Sequence, residues 1–269
     1  MNERNAGFEA TQPVVDDEPK PIPFDRFEHG PNLRQRRQAE CDDEVQNVLF
    51  VLDTSGSIGP TEFKRMKNAL SNLMLLFCRQ VRFALITFDH YVNLEFCFNC
   101  FDNTLQGRIE AQTAIRDAPY RGGWTRTAGT ARCICEDLIS SSCGIDTTKT
   151  LNCLDIVFIT DGKSNDRSLE VCEEVKCLHD RVGINTYAIG INSGSGIQPS
   201  YDVDELECID DYSDAISAFQ FTNFSDFEDS ITNIVTRLTQ TTNLLKTNYP
   251  IATSCYQRDG SLSPTGIPP

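Results

Sequence analysis

The 269 residues carry 39 Asp and Glu against 24 Lys and Arg, a formal net charge of −15, which excludes a nucleic-acid-tracking surface because such surfaces need a basic face to release counterions. With 39% of residues hydrophobic, the chain can build one sizeable core with polar tails. No window approaches the roughly 18 to 20 continuous apolar residues that a membrane span requires.

Residues 1–44 combine prolines and acids with few large apolar side chains in periodic order, the composition of a disordered or linker-like tail that cannot offset its ordering entropy. Within it, Arg34-Gln35-Arg36-Arg37 matches the basic pattern cut by furin-type processing proteases, and serves equally as a solvated charge cluster. From Val48 to Leu52 a continuous apolar run predicts a strand covered on both faces. Pro60 then suits a first helical turn, and Phe63, Met66, Leu70, Leu73, Met74 and Phe77 recur at helical spacing. Phe83–Phe88 predicts a second strand, and Tyr91–Phe96 a third that pairs antiparallel with it through a tight turn. Helical patterns follow over 105–117 and 127–140, the latter after the turn-rich YRGGWTRT. A buried strand is expected at Asp155–Thr160, a helix over 166–179, a strand at Thr186–Ile191, a short helix over 203–208, a strand over 217–221 and a last helix over 225–240. Residues 243–269 read as a C-terminal linker-like segment. Strand and helix alternate without internal repeats, which predicts one domain over 45–242 built as an α/β fold: an open, doubly wound, mostly parallel sheet with one antiparallel strand and helices on both faces.

Twelve cysteines, at 41, 78, 97, 100, 133, 135, 143, 153, 172, 177, 208 and 255, are the usage expected of an oxidising compartment, where disulfides persist. Cys97, Cys100, Cys133 and Cys135 are disulfide candidates; a zinc site from the same residues is disfavoured, since Cys133 and Cys135 have one residue between them and the chain holds three histidines. Cys41 and Cys255 flank the domain and are expected to clasp its ends. Asn223-Phe224-Ser225 is a glycosylation candidate. The opening MNERNAGFEATQPVV lacks the apolar centre of a secretory signal, so the sequence is expected to be a fragment of a secreted, extracellular protein.

Ligands of open α/β sheets bind beyond the carboxyl ends of the strands. Two apolar strands end there on acids, VLFVLD at Asp53 and DIVFITD at Asp161. With the hydroxyls of Ser55 and Ser57 they form an all-oxygen set of the kind a hard divalent cation takes. Each piece also has a bland reading. Asp-x-Ser-x-Ser before a helix can be a cap, Thr125 and Thr127 can be turn formers after a diglycine, and Asp161-Gly162 can be a simple turn.

Taken together, Asp53-Thr54-Ser55-Gly56-Ser57, the segment GGWTRTAGTA with Thr125, and ITDG with Asp161 resemble the von Willebrand factor type A domain with its metal-ion-dependent adhesion site. The cysteine-rich CFNC and RCICEDLISSSCG segments are more similar to an extracellular-matrix branch of that family (matrilins, collagen-associated domains, mosaic proteins with sushi modules) than to integrin inserted domains. The resemblance implies a metal set of Asp53, Ser55, Ser57, Thr125 and Asp161 holding Mg2+ or Mn2+, one coordination position left for a partner's Glu or Asp, and a last helix that moves if affinity is switched. The partner it implies is an extracellular-matrix protein or receptor.

Catalysis finds little footing. Ser55 stands where an aspartyl phosphotransferase needs a second acid, Ser57 lacks the flanking glycines of a nucleophile elbow, and neither a phosphate loop nor a nucleophile paired to His29, His90 or His179 is visible. The expected function is therefore an adhesion or matrix protein binding an acidic side chain through the cation. The alternative is a matrix scaffold assembled by disulfides that leaves the metal site unused.

Overall fold

The computed structural model describes residues 46–77, 81–102, 104–139, 154–161, 163–180, 184–192, 200–210 and 219–234. In chain order these form β1 (Gln46–Asp53), α1 (Gly59–Leu75), β2 (Val81–Phe88), β3 (Val92–Phe96), α2 (Leu105–Asp117), α3 (Thr127–Cys133), β4 (Leu154–Thr160), α4 (Ser168–His179), β5 (Ile184–Ile191), α5 (Val203–Ile209), β6 (Phe219–Phe221) and α6 (Phe224–Asp229). The strands make one six-stranded sheet in the order β3-β2-β1-β4-β5-β6. Every neighbouring pair is parallel except β2 with β3, which is antiparallel. This is the expected α/β architecture.

β1 runs through the centre and shows why its run Val48–Leu52 is apolar at every position. Val48, Phe50 and Leu52 face the layer that contains α1, α2 and α6, whereas Leu49 and Val51 face α3, α4 and α5. A strand covered on both sides has no face left for polar residues.

The α1 and α2 helices cap one another. Arg108 of α2 is buried and donates from Nη1 to the carbonyls of Met74 at 3.0 Å and Phe77 at 2.6 Å, at the end of α1. Lys67 of α1 reaches the other way, to the carbonyls of Arg116 and Ala118, each at 2.5 Å, at the end of α2. Helix-end carbonyls lack intrahelical donors and carry partial negative charge, so each cation satisfies both needs.

Two disulfides staple the opposite layer. Cys172–Cys208 joins α4 to α5, and Cys135–Cys177 joins the turn after α3 to α4. On the chain-entropy model, closing loops of 42 and 36 residues stabilises by about 4 kcal/mol each. Cys97 is disulfide-bonded as well. Cys100 and Cys133, expected among the pairing cysteines, instead carry free thiols. Cys100 accepts the Cys97 backbone N–H at 3.2 Å, and Cys133 directs its thiol at Asp137 one turn on, at 3.7 Å. The expected clasp of Cys41 with Cys255 lies outside the described residues.

The single helix expected over 127–140 is divided. α3 ends at Cys133 and a wide π-type turn, Ile134–Leu138, follows, burying Ile134, Cys135 and Leu138 together. The last helix is α6 with a further helical turn at 231–234; the rest of the expected 225–240 span lies outside the described residues. Asn223, of the glycosylation triplet, is exposed and caps α6, its Oδ1 accepting the Asp226 N–H at 3.0 Å.

Candidate metal centre

β1 and β4 are parallel neighbours, with Leu52 opposite Ile159. Their carboxyl ends therefore emerge at one rim, and Asp53 and Asp161 stand there, both fully buried. Asp53 Oδ1 accepts the Ser55 backbone N–H at 2.7 Å, and its Oδ2 accepts the Thr160 hydroxyl at 2.6 Å. The Ser57 hydroxyl donates to Asp161 Oδ1 at 2.9 Å, and the Ser55 and Ser57 hydroxyl oxygens lie 3.0 Å apart. Loop 53–57 and the end of β4 are thus bound into one oxygen-rich cluster.

These hydroxyls are not helix caps. α1 starts at Gly59, and its N-cap residue, Ile58, offers no side-chain cap, Pro60 occupying the first turn instead. Nor does Thr125 cap α3, whose N-cap is Arg126, again without a side-chain bond. The capping reading of Asp-x-Ser-x-Ser is therefore excluded.

The diglycine brings Thr125 to the cluster. Gly122 N donates to Thr54 O at 2.9 Å and Gly56 N to Gly123 O at 2.8 Å, so the loop after α2 is zipped along the loop after β1. Gly122 has φ +74, in the left-handed region, and a Cβ on Gly123 would come within 2.6 Å of Asp89 Oδ2; only glycine permits this approach. Thr125, 4% exposed, is then fixed from the other side: its N–H donates to Asn165 Oδ1 at 2.9 Å, and its carbonyl accepts from Asn165 N at 2.7 Å and Ser164 Oγ at 3.3 Å. Ser164 is anchored by donating its N–H to Glu205 Oε2 of α5 at 3.0 Å. Burial, with the nearby Asp202 charge adding, pushes the Glu205 carboxyl up to about 7.

A cleft of about 270 Å3 opens over the cluster, with Ser55, Ser57, Gly123, Trp124, Thr125 and Lys163 among its walls. All three hydroxyl residues of the expected set reach it. Burial pushes the Asp53 carboxyl up to about 7, the neighbouring Asp161 charge adding to the effect and the bonds from Thr160 and Ser55 opposing it. Two acids held out of water beside one another are a repulsive arrangement that a bound cation reverses. Two carboxylates also balance the charge of a divalent ion, and three hydroxyls supply the neutral oxygens hard cations take. The donor set fits such an ion.

Thr160, Trp124, Ser164 and Asn165 were not singled out by the sequence. Thr160 had no signal, because aligning β1 and β4 on their terminal acids sets Asp53 against Asp161, whereas the observed register, Leu52 with Ile159, is one residue away from that. Ser164 and Asn165 had none, because their partner lies about forty residues away.

A model of the von Willebrand factor type A domain matches residues 47–240. Mouse integrin alpha-X is 28% identical over 195 residues, covering 71% of this chain and 16% of that protein. Mouse collagen alpha-4(VI) chain is 29% identical over 168 residues, covering 61% of this chain and 7% of that protein. The chain thus spans a small part of these relatives. Among solved structures, proximal thread matrix protein 1 from the mussel byssus superposes with a TM-score of 0.56 at 22% identity, covering 71% of this chain and 48% of that one. A second structure of that protein, with zinc in its metal-ion-dependent adhesion site, gives a TM-score of 0.55. The family model covers well over half the chain, and its span holds the whole oxygen cluster; the chain belongs to the von Willebrand factor type A domain family.

Proposed function

We propose that this chain is an extracellular adhesion module that captures an acidic side chain of a partner through Mg2+ or Mn2+ held by Asp53, Ser55, Ser57, Thr125 and Asp161, in a domain running over residues 45–242. The observation that carries the reading is the Ser57–Asp161 hydrogen bond at 2.9 Å, which draws oxygen donors from two strand ends to one point. When bound, the ion supplies a Lewis-acidic contact for the Glu or Asp of an extracellular-matrix protein or receptor, a contact that a chain of net charge −15 could not otherwise offer an anion.

The residues divide the work by charge. Asp53 and Asp161 supply the countercharge, and Thr160 and the Ser55 backbone N–H hold Asp53 in position. Ser55, Ser57 and Thr125 supply neutral oxygens and leave the cleft side open. The fold and the integrin and collagen relatives support a binding module rather than an enzyme. Paired cysteines support a location outside the cell.

The test is retention of the purified chain on surfaces coated with mixed extracellular-matrix proteins, in Mg2+ and after chelation. Retention in Mg2+ that is lost on chelation supports adhesion. Retention that ignores chelation but falls on reduction of disulfides replaces it with the scaffold reading.

A further inference from the structure

Beside the cation cleft the chain exposes three aromatic rings in one cluster. Trp124, 63% exposed, lines the cleft itself, and Tyr91, 70% exposed, stands on the β2–β3 turn. Exposed His90 sits between them, its ring centroid 4.9 Å from that of Tyr91 and 6.1 Å from that of Trp124, nearly perpendicular to both. Beneath this shelf lies Asp89. As a residue it is 6% exposed, its side chain packs against Gly123, and its Oδ1 accepts the Tyr91 N–H at 2.9 Å. Among the described residues no Lys or Arg pairs with it; the nearby Arg121 is engaged by Glu95 and Thr87.

A buried carboxylate without a counter-ion is unfavourable, and exposed indole and phenol faces attract cations through the ring quadrupole. The two features coincide at one spot, in a chain whose net charge is −15. Because Asp53 and Asp161 offset the charge of a divalent ion, that ion does not cancel the attraction.

We propose that the Tyr91–His90–Trp124 shelf over Asp89 is a second subsite that receives a Lys or Arg side chain of the partner, close in sequence to the acidic residue taken by the cation. This inference rests on the cation-dependent reading above and deepens it. The partner's recognition element is a paired acid and base, the acid on the metal and the base on the aromatic shelf.

The probe is a set of fluorescein-labelled hexapeptides of Ala and Gly holding one Glu, with Arg, its neutral isostere citrulline, or norleucine at each position within two residues of it. Binding to the full chain in Mg2+ is read by anisotropy. Trp124 is the single tryptophan of the chain, so its emission reports occupancy of the shelf directly. At the best position the Arg peptide is expected to bind about fivefold more tightly than the citrulline peptide, in the range of a cation–aromatic contact, and to shift Trp124 emission. Asp89→Asn, which keeps the oxygen that accepts the Tyr91 N–H, and Trp124→Leu should each bring the ratio of Arg to citrulline affinity close to one, the ratio correcting for any change common to both peptides.

Equal binding of Arg, citrulline and norleucine peptides at every position, with Glu still required, overturns the cationic subsite alone. Equal binding of Glu peptides and their Gln counterparts overturns the cation reading and this inference with it. An Arg preference that survives both substitutions assigns the subsite elsewhere and overturns the shelf.

Discussion

Ser57 donates its hydroxyl to Asp161 Oδ1 at 2.9 Å although the two residues lie 104 positions apart in the chain. The bond spans the gap between the ends of β1 and β4 and sets the separation of the two halves of the oxygen cluster. Ser57→Ala removes both a neutral oxygen donor and the bond that positions Asp161, so it should weaken Mg2+ binding by at least roughly tenfold, the cost of losing a positioning partner alone at a metal site. It should hardly change the melting temperature, because Ser57 is exposed. Calorimetric Mg2+ titration and a thermal scan of the same variant read both quantities.

Thr160 has a related role from beneath. Its hydroxyl donates to Asp53 Oδ2 at 2.6 Å in a buried site. Thr160→Val keeps the shape and removes the donor, so Asp53 loses its orientation. Mg2+ affinity is expected to fall by roughly tenfold, and Thr160→Ser, which restores the hydroxyl, should recover most of it.

Gly123 tests the loop rather than the donors. Gly123→Ala places a methyl group 2.6 Å from Asp89 Oδ2, a contact relieved by displacing the Asp89 side chain from the Tyr91 N–H it accepts or by shifting the loop. The change should destabilise the fold by about 1–3 kcal/mol and move Thr125 away from the cleft. Denaturant unfolding measures the first effect, and loss of Mg2+ affinity beyond that of Ser57→Ala measures the second.

Much of this was legible in the sequence, for identifiable reasons. Val48–Leu52 and Ile156–Ile159 read as the middles of central strands because a strand covered on both faces is apolar there, and the helix over 105–117 was found at its observed limits although Arg108 and Gln112 stand on its buried face. Asp53, Ser55, Ser57 and Asp161 came from local motifs at strand ends, and Thr125 from the resemblance of the segment GGWTRTAGTA to the family. What local patterns do not encode stayed hidden. The pairings Cys135–Cys177 and Cys172–Cys208 depend on which helices become neighbours, as do the mutual caps by Arg108 and Lys67. The wide turn at Ile134–Leu138 continues an apolar helical pattern and carries no breaker residue.

At the opposite end of the sheet, Asp155 offers a pH test independent of any metal. Burial pushes its carboxyl up to about 6 against bonds from Asn185 and Gln46. A carboxyl whose folded value lies above its unfolded value contributes stability that is present below about pH 4 and lost as pH rises through about 6. Asp155→Asn should therefore stabilise the chain by about 2–3 kcal/mol at pH 7 and by much less at pH 4. The buried Gln46 Oε1, which has no partner, can accept the new amide N–H once the Gln46 side-chain amide rotates. Urea unfolding of both proteins at the two pH values decides it; an equal gain at both would contradict the assignment.

The most direct test of the cation site is calorimetric titration of Mg2+ into the wild-type chain and into Asp53→Ala. Asp53 is buried, and its removal leaves the Ser55 N–H and the Thr160 hydroxyl without their acceptor, so the circular dichroism spectrum of the variant is checked against that of wild type before titration. Wild type should bind one equivalent of Mg2+, and Asp53→Ala should bind none measurable, since a charged ligand is lost rather than a neutral one. A folded Asp53→Ala chain that takes up Mg2+ with wild-type affinity, or a wild-type chain that takes up none, would contradict the account.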